Sequence, residues 1–332
     1  MSVDILIRGA GVAGLAAAFV LAKRGVRVTL YDKSERLDGN ASWYAGGMLA
    51  PFCEGETAEE RVQRRGIEAI DWWDRALPGL VQRRGSLIIA APRDQGELSR
   101  FARQTSGHCL VDAAELAELE ADLTGRFPQA LFIAEEAHLA PRAALAGLLE
   151  QARNHGIDIR LGGDGPSGDG FDYELDATGL ACPLPGLRPV RGEMAVLHAP
   201  DVHLTRVVRF LHPRIPIYIV PRKDQHYMVG ATMIESGHDG PITARSLMEL
   251  LNAAYCVNPA FGEATLIETG TGLRPAFPDN LPRVIRCGNR LAINGLYRHG
   301  FLLAPVLAEA AADLILNGRT DKDFIHETDC EW

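Results

Sequence analysis

The feature that most constrains this chain is Gly9-Ala10-Gly11-Val12-Ala13-Gly14, a G-x-G-x-x-G pattern between an apolar run, Val3 to Ile7, and a segment of helical composition, Leu15 to Arg24. A second β-rich run, Val26 to Tyr31, ends at the acid Asp32. The order predicts a strand, a glycine turn, a helix and a strand. A side chain at Gly9 would spoil the tight turn, one at Gly11 would block a pyrophosphate, and one at Gly14 would push the helix off the strand. The N–H groups that open the helix, around Val12 and Ala13, and the positive end of its dipole favour that pyrophosphate. Asp32, with Lys33 beside it, lies 18 positions beyond Gly14 and can accept hydrogen bonds from both ribose hydroxyls of an adenosine. A glycine-rich turn alone is a weak sign. Strand, helix and acid together predict dinucleotide binding. Arg8 stands where an apolar residue is usual, so the end of the first strand is expected to be partly exposed.

At 332 residues the chain exceeds the size at which one core stays efficient, and two domains are expected. No run approaches the roughly 18 apolar residues of a membrane span, and Met1 leads directly into the first strand without a basic leader. A cytoplasmic protein with no membrane contact is therefore expected. Cys53, Cys109, Cys182, Cys256, Cys287 and Cys330 form no C-x-x-C pair, so they read as reduced thiols rather than a zinc or redox centre, and no metal site is expected. A net charge of -9 argues against nucleic acid as a partner. The nearest basic group, Arg61, Arg64 and Arg65, reads as a solvated helix face.

Beyond Asp32, the stretch Gly39 to Pro51 is too rich in small residues for a regular core element. It is either a flexible loop or backbone lying against a flat ligand. Glu56 to Ala76 has a helical pattern with Ile67, Ile70, Trp72 and Trp73 as core contacts. Ser86 to Ala91 reads as a strand, and Gln95 to Gln104 and Ala113 to Leu119 as helices. Pro141 to His155 is amphipathic and ends at Gly156, as a helix with a C-terminal glycine should. Gly162 to Gly170 is a loop, and Tyr173 to Asp176 a strand whose turn, Ala177-Thr178-Gly179, returns to the nucleotide. Met194 to Leu197, Ile217 to Val220 and Tyr227 to Ala231 read as strands of a second sheet. Ala244 to Tyr255 is a helix candidate, Leu291 to Asn294 a last short strand, and Phe301 to Leu316 a buried helix.

Taken together, the Gly9 to Gly14 pattern with Asp32, the Ala41-Ser42 to Pro51 loop, Pro189-Val190-Arg191-Gly192-Glu193-Met194, Val229-Gly230-Ala231-Thr232-Met233, Gly272-Leu273-Arg274-Pro275 and Tyr297 to Pro305 resemble the D-amino-acid oxidase superfamily. The resemblance spans nearly the whole chain in order. It is nearest to the glycine-oxidising branch that serves thiamine biosynthesis. It implies FAD as cofactor and an α/β fold: a Rossmann-type FAD-binding domain plus a second α+β substrate domain with a mixed sheet. The boundaries it suggests are 1–77, 135–188 and 271–332 for the FAD-binding domain, and 78–134 and 189–270 for the substrate domain.

The same resemblance implies that Arg274 pairs with a substrate carboxylate, that Tyr218 donates to that carboxylate, and that the backbone at Arg298 lies by substrate and flavin. Ala41, Ser42, Gly46, Gly47 and Met48 would line the flavin, with Thr178, Gly179, His299, Gly300, Phe301 and Leu302 as further cofactor contacts. His299 replaces a common asparagine, and the chain is short for the family. From the residues alone, Arg274 reads as a surface ion pair with Glu268 or Asp279 rather than a ligand, Ser42 could be a helix cap, and His299 reads as a turn histidine bonded to backbone rather than a base. Cys53, close to the flavin loop, is the one candidate for covalent flavin attachment, against the expectation of non-covalent binding.

The chemistry implied is oxidation of glycine, or another small amine, to its imine, with O2 reduced to hydrogen peroxide. A guanidinium suits a carboxylate in bidentate geometry, and orientation at the flavin carries the reaction without a side-chain base. The rivals are a D-amino-acid or sarcosine-type oxidase, a quinone-linked dehydrogenase, and a non-catalytic FAD-binding subunit. The residues leave a homo-oligomer open.

Overall fold

The computed structural model describes residues 3–327. Cys330 lies outside them. One sheet has seven strands in the order Ile325–Glu327, Arg283–Cys287, Arg290–Asn294, Tyr173–Asp176, Asp4–Arg8, Arg27–Asp32 and Asp158–Leu161. From Arg290–Asn294 onward every pairing is parallel, whereas Arg283–Cys287 and Arg290–Asn294 form an antiparallel pair. Strand Asp4–Arg8 has its sequence neighbour on one side and Tyr173–Asp176 on the other. That reversal of strand order opens a crevice at the carboxyl ends of both strands, where α/β sheets take their ligands.

Local sterics build the crevice. Gly9 has a φ of 99°, and an added Cβ would lie 2.6 Å from the carbonyl oxygen of Ala177. At Gly14 an added Cβ would lie only 1.8 Å from the Gly9 carbonyl oxygen. Only hydrogen at both positions lets helix Val12–Lys23 start directly above the strand end.

The second sheet has eight strands in the order Thr265–Ala276, Arg188–His198, His226–Gly230, Ile217–Pro221, Val207–Leu211, Ser86–Ala90, Gln129–Ile133 and Cys109–Asp112. It is antiparallel except where Val207–Leu211 runs parallel to Ser86–Ala90. This is the mixed sheet expected beside the Rossmann-type one. A two-residue ladder, Met48–Leu49 with Ala137–His138, ties the small-residue loop down. Strand Thr265–Ala276 runs unbroken through the suggested domain handover at 270–271.

Several elements differ from the sequence-based expectation. The helix expected from Glu56 begins at Glu60, after a separate turn of helix at Pro51–Glu54. Ile67 is exposed rather than in the core, because the buried stripe of that helix runs through Val62, Gly66, Ala69, Ile70 and Trp73. Arg64 and Arg65 do not merely face water. They pair with Asp321 and Asp323 of the C-terminal segment. The final helix, Gly300–Asn317, is long and apolar enough to cross a membrane, contrary to the reading that no run is. Most of its residues are buried in the core of the first unit, where it packs on helices Val12–Lys23 and Glu60–Ala76.

That helix contains Pro305, which has no N–H to offer the carbonyl of Phe301 one turn back. Trp73, fully buried, supplies the missing donor: its indole Nε1–H reaches the Phe301 oxygen at 2.9 Å. Trp73→Phe should therefore cost about 1–3 kcal/mol in urea unfolding, the cost of orphaning a buried acceptor. In a Pro305→Ala background the cost should shrink, because alanine at that position restores the helical N–H. Equal costs in both backgrounds would remove the tryptophan from that role.

Candidate active site

A cavity of about 760 Å³ runs from the switch point to the second sheet, toward the upper end of the roughly 300–1,000 Å³ of small-molecule sites. Every residue singled out from the sequence as a site residue lines it except Gly14, which is packed beneath the turn. At one end lie Gly9, Gly11, Val12, Ala13, Asp32, Lys33, Thr178 and Gly179; at the other Tyr218, Arg274 and Arg298; Ala41, Ser42, Gly46, Gly47 and Met48, together with His299, Gly300, Phe301 and Leu302, complete the wall.

At the first end, Asp32 accepts from Ala10 N–H at 2.6 Å and from Ser34 N–H at 2.8 Å, which locks the glycine turn to the second strand. Ser42 is not an N-cap of its own helix. Its Oγ accepts from Val12 N–H at 3.1 Å, across the start of helix Val12–Lys23. An added Cβ at Gly11 would meet only that Oγ, at 3.4 Å, and otherwise points into the cavity. The loop lies along the cavity wall, packed against the second sheet. Gly46 packs so closely on the Tyr218 ring that a Cβ would lie 2.8 Å from it, and Arg222 donates to the Gly46 carbonyl at 2.7 Å. Arg222 was not foreseen from the sequence; burial lowers its pKa to about 10.

At the second end, Arg274 rises from strand Thr265–Ala276 over Gly192 of the neighbouring strand, where a Cβ would sit 2.1 Å from the guanidinium. The two acids that could have claimed it are engaged elsewhere. Glu268 takes both terminal nitrogens of Arg142 at 2.7 and 2.8 Å, and Asp279 pairs with Arg283. The one hydrogen bond recorded for Arg274 goes to the neutral carbonyl of Thr232 at 3.1 Å. Burial works against its charge, as does Arg298, yet an arginine stays protonated in a protein.

Arg298 differs. It faces Glu54, buried on Pro51–Glu54, at 3.1 Å. Burial pushes the Glu54 carboxyl up, but Arg298, His299 and Arg209 together outweigh it and hold the group below the usual range. His299 is not bonded to backbone through its ring, as a turn histidine was expected to be. Its Nδ1 lies 3.4 Å from Glu54. Burial lowers its pKa to about 4, so the imidazole is neutral at neutral pH. Cys53 does not reach the cavity: it is buried, with its thiol toward Glu136 at 3.3 Å and its pKa pushed well up by burial. It is therefore no candidate for flavin attachment.

A family model for FAD dependent oxidoreductases matches residues 4–314. The chain belongs to that family. It is 56% identical to a Rhizobium etli protein named for a thiamine biosynthesis oxidoreductase, ThiO, over 94% of this chain and 96% of that one. It is 28% identical to the glycine oxidase of Geobacillus kaustophilus, over 97% of this chain and 95% of that one. The crystal structure of the Geobacillus glycine oxidase matches with a TM-score of 0.80 at 22% identity, covering 97% of this chain and 96% of that one.

FAD is thus the cofactor, and the wall fits it. The space above Gly11 and the N–H groups opening helix Val12–Lys23 suit a pyrophosphate, and Asp32 closes the adenosine end. Helix Gly300–Asn317 turns its own first N–H groups, at Gly300, Phe301 and Leu302, toward the cavity wall, where they favour negative charge. Gly11→Val should yield protein that folds but retains no flavin. The check is the 450 nm absorbance per chain beside an unchanged far-ultraviolet circular dichroism spectrum.

The buried histidines set a second expectation. Burial also lowers His138 to about 4, with Arg222 and Arg84 assisting. Between 6.5, the ordinary value, and 4, the unfolded chain binds more protons than the folded one. Stability is therefore full above about pH 6.5 and falls as pH drops toward 4, by up to about 3 kcal/mol for each histidine. Urea midpoints of the apoprotein between pH 7 and 5 should show this, and His138→Gln should flatten the slope.

Proposed function

We propose that the protein oxidises glycine, or a similarly small amino acid, to its imine with reduction of O2 to hydrogen peroxide, and that the imine supplies thiazole synthesis for thiamine. The observation that carries this reading is Arg274: a partly buried guanidinium on the cavity wall whose one recorded hydrogen bond goes to a neutral carbonyl, with no acid paired to it among the described residues. It offers a carboxylate a bidentate partner without first breaking an internal ion pair. Tyr218 lines the same wall, pressed against Gly46 of the flavin loop, and in this reading donates its phenol O–H to the same carboxylate. The names of the relatives agree in chemistry.

FAD, when bound, supplies the hydride acceptor for the Cα–H bond and passes the electrons to O2. The chain's own part is placement. Arg274 and Tyr218 fix the carboxylate, which leaves the Cα with little freedom to turn, and orientation of this kind accounts for a large share of a barrier. The close fit of Gly46 on the Tyr218 ring leaves no slack between the carboxylate partner and the flavin loop. No side chain is required to remove the Cα proton as such, because it leaves with its electron pair. The neutral His299 adds no positive charge to compete for the carboxylate.

The test is an anaerobic spectrum with glycine, sarcosine and D-alanine in turn, followed by air. Glycine should bleach the flavin, and oxygen should restore it with release of peroxide; a flavin that no amine bleaches overturns the reading. Arg274→Ala should keep FAD and raise KM for glycine at least a hundredfold, since losing a charged hydrogen-bond partner costs about 2–5 kcal/mol. Unchanged kinetics would take Arg274 out of the site.

A further inference from the structure

Three guanidinium groups line the substrate end of the cavity, and they are electrostatically unlike. Arg209 is paired with Glu56. Arg298 is paired with Glu54, at 3.1 Å. Arg274 hydrogen-bonds only a carbonyl among the described residues. His299, the other titratable ring on this wall, is buried and adds no charge at neutral pH. Asp239 also lines the cavity, but it is exposed on a loop, where water screens it. Of the three guanidiniums that line this end, Arg274 alone has no acid partner among the described residues; Arg222, which donates to the Gly46 carbonyl, lies behind the wall rather than on it.

We propose that Glu54 sets the charge selectivity of the pocket. By occupying Arg298 it restricts the site to amines bearing one carboxylate and rejects those bearing two. The identity of the substrate rests on the amine-oxidase reading above, but the charge argument does not. Arg298 is the other guanidinium close enough to Arg274 to act on its charge, and a second carboxylate that turned toward it would meet a group already neutralised by Glu54. The paired charges offer no net attraction, so the cost of taking a second carboxylate out of water is left unmet. The partnering is loose enough to matter: Oε2 of Glu54 and Nδ1 of His299 are both buried without a hydrogen bond. Glu54 is thus held by charge rather than by a saturated network.

The side chain acts at a distance in sequence. Glu54 sits on Pro51–Glu54, and the neighbouring Cys53 N–H donates to buried Glu136 at 2.7 Å, which fixes that turn of helix from behind. The acid is accordingly presented to Arg298 from a rigid support rather than a mobile loop.

The experiment titrates FAD-loaded protein with acetate and malonate, neither of which is oxidised, and follows the flavin spectrum. Wild type should show no preference for malonate. In Glu54→Gln the ratio of affinities should move roughly ten- to hundredfold toward malonate, a shift of the size that freeing a desolvated charge partner gives. Glu54→Gln/Arg298→Met should lose that gain. Turnover of iminodiacetate relative to glycine should change in the same direction. An unchanged malonate-to-acetate ratio in Glu54→Gln overturns the proposal, and so does a gain that persists when Arg298 is also removed.

If Glu54→Gln does not fold, Arg298→Met gives a second reading. Glu54 then faces the cavity uncompensated, and malonate should weaken at least tenfold more than acetate; equal weakening overturns the proposal. Should wild type oxidise no amine at all, the functional reading fails while the ratio of the two anions still tests the role of Glu54.

Discussion

A guanidinium taken out of water needs a negative partner, and the second sheet is arranged around that need. Arg191 finds Glu193, Arg206 finds Glu120, Arg209 finds Glu56, and Arg142 finds Glu268 while stacking on Trp43. Each pair satisfies itself within the chain. Breaking one would leave a charge uncompensated, which is far costlier than the pair itself is stabilising. Arg274 stands on the same sheet without such a partner, and its environment is prepared by the others.

The two helix starts that face the cavity are held by different means. Helix Val12–Lys23 is placed by sterics: the Gly9 turn and the missing side chain at Gly14 let it rest on the strand, and Ser42 and Asp32 accept N–H groups at its approach. Helix Gly300–Asn317 is placed by burial and by Trp73, which completes the hydrogen bonding that Pro305 interrupts. Because Phe301 lies on the cavity wall and its carbonyl is the one Trp73 reaches, core packing and site geometry share a residue.

What could be read from the sequence follows from how local each signal is. The strand–turn–helix at the start, the strand Tyr173–Asp176 and the helices Gln95–Gln104 and Ala113–Leu119 each carry their pattern within one window; the last three keep their bounds, while the first helix starts three residues earlier, at Val12, because the glycine turn itself opens it. Strand Thr265–Ala276 was missed because its outer half is exposed on both faces, and Gly270, Gly272 and Pro275 interrupt its inner half. It is a strand only because Arg188–His198 pairs along its whole length. Glu54 was missed for a similar reason. An acid after a proline and two small or apolar residues has no local signature, and its meaning lies in an arginine 244 positions away. Ile67 was placed in the core from the helical pattern, but the buried face is centred on Gly66, Ala69, Ile70 and Trp73, which leaves Ile67 turned outward.

The arrangement also settles how a chain of net charge -9 can attract a carboxylate. At long range its field opposes anions, but salt confines that field to a Debye length of about 8 Å at physiological ionic strength. Glycine is a zwitterion with no net charge to be repelled, so it reaches the cavity unhindered and meets the uncompensated Arg274 only after desolvation, where the interaction is strong. A dicarboxylate amine carries net negative charge: the surface opposes it on approach, and on arrival Glu54 has already taken the Arg298 guanidinium that could have received its second carboxylate. The outer field and the buried acid thus discriminate in the same direction, and only the inner one depends on a single side chain.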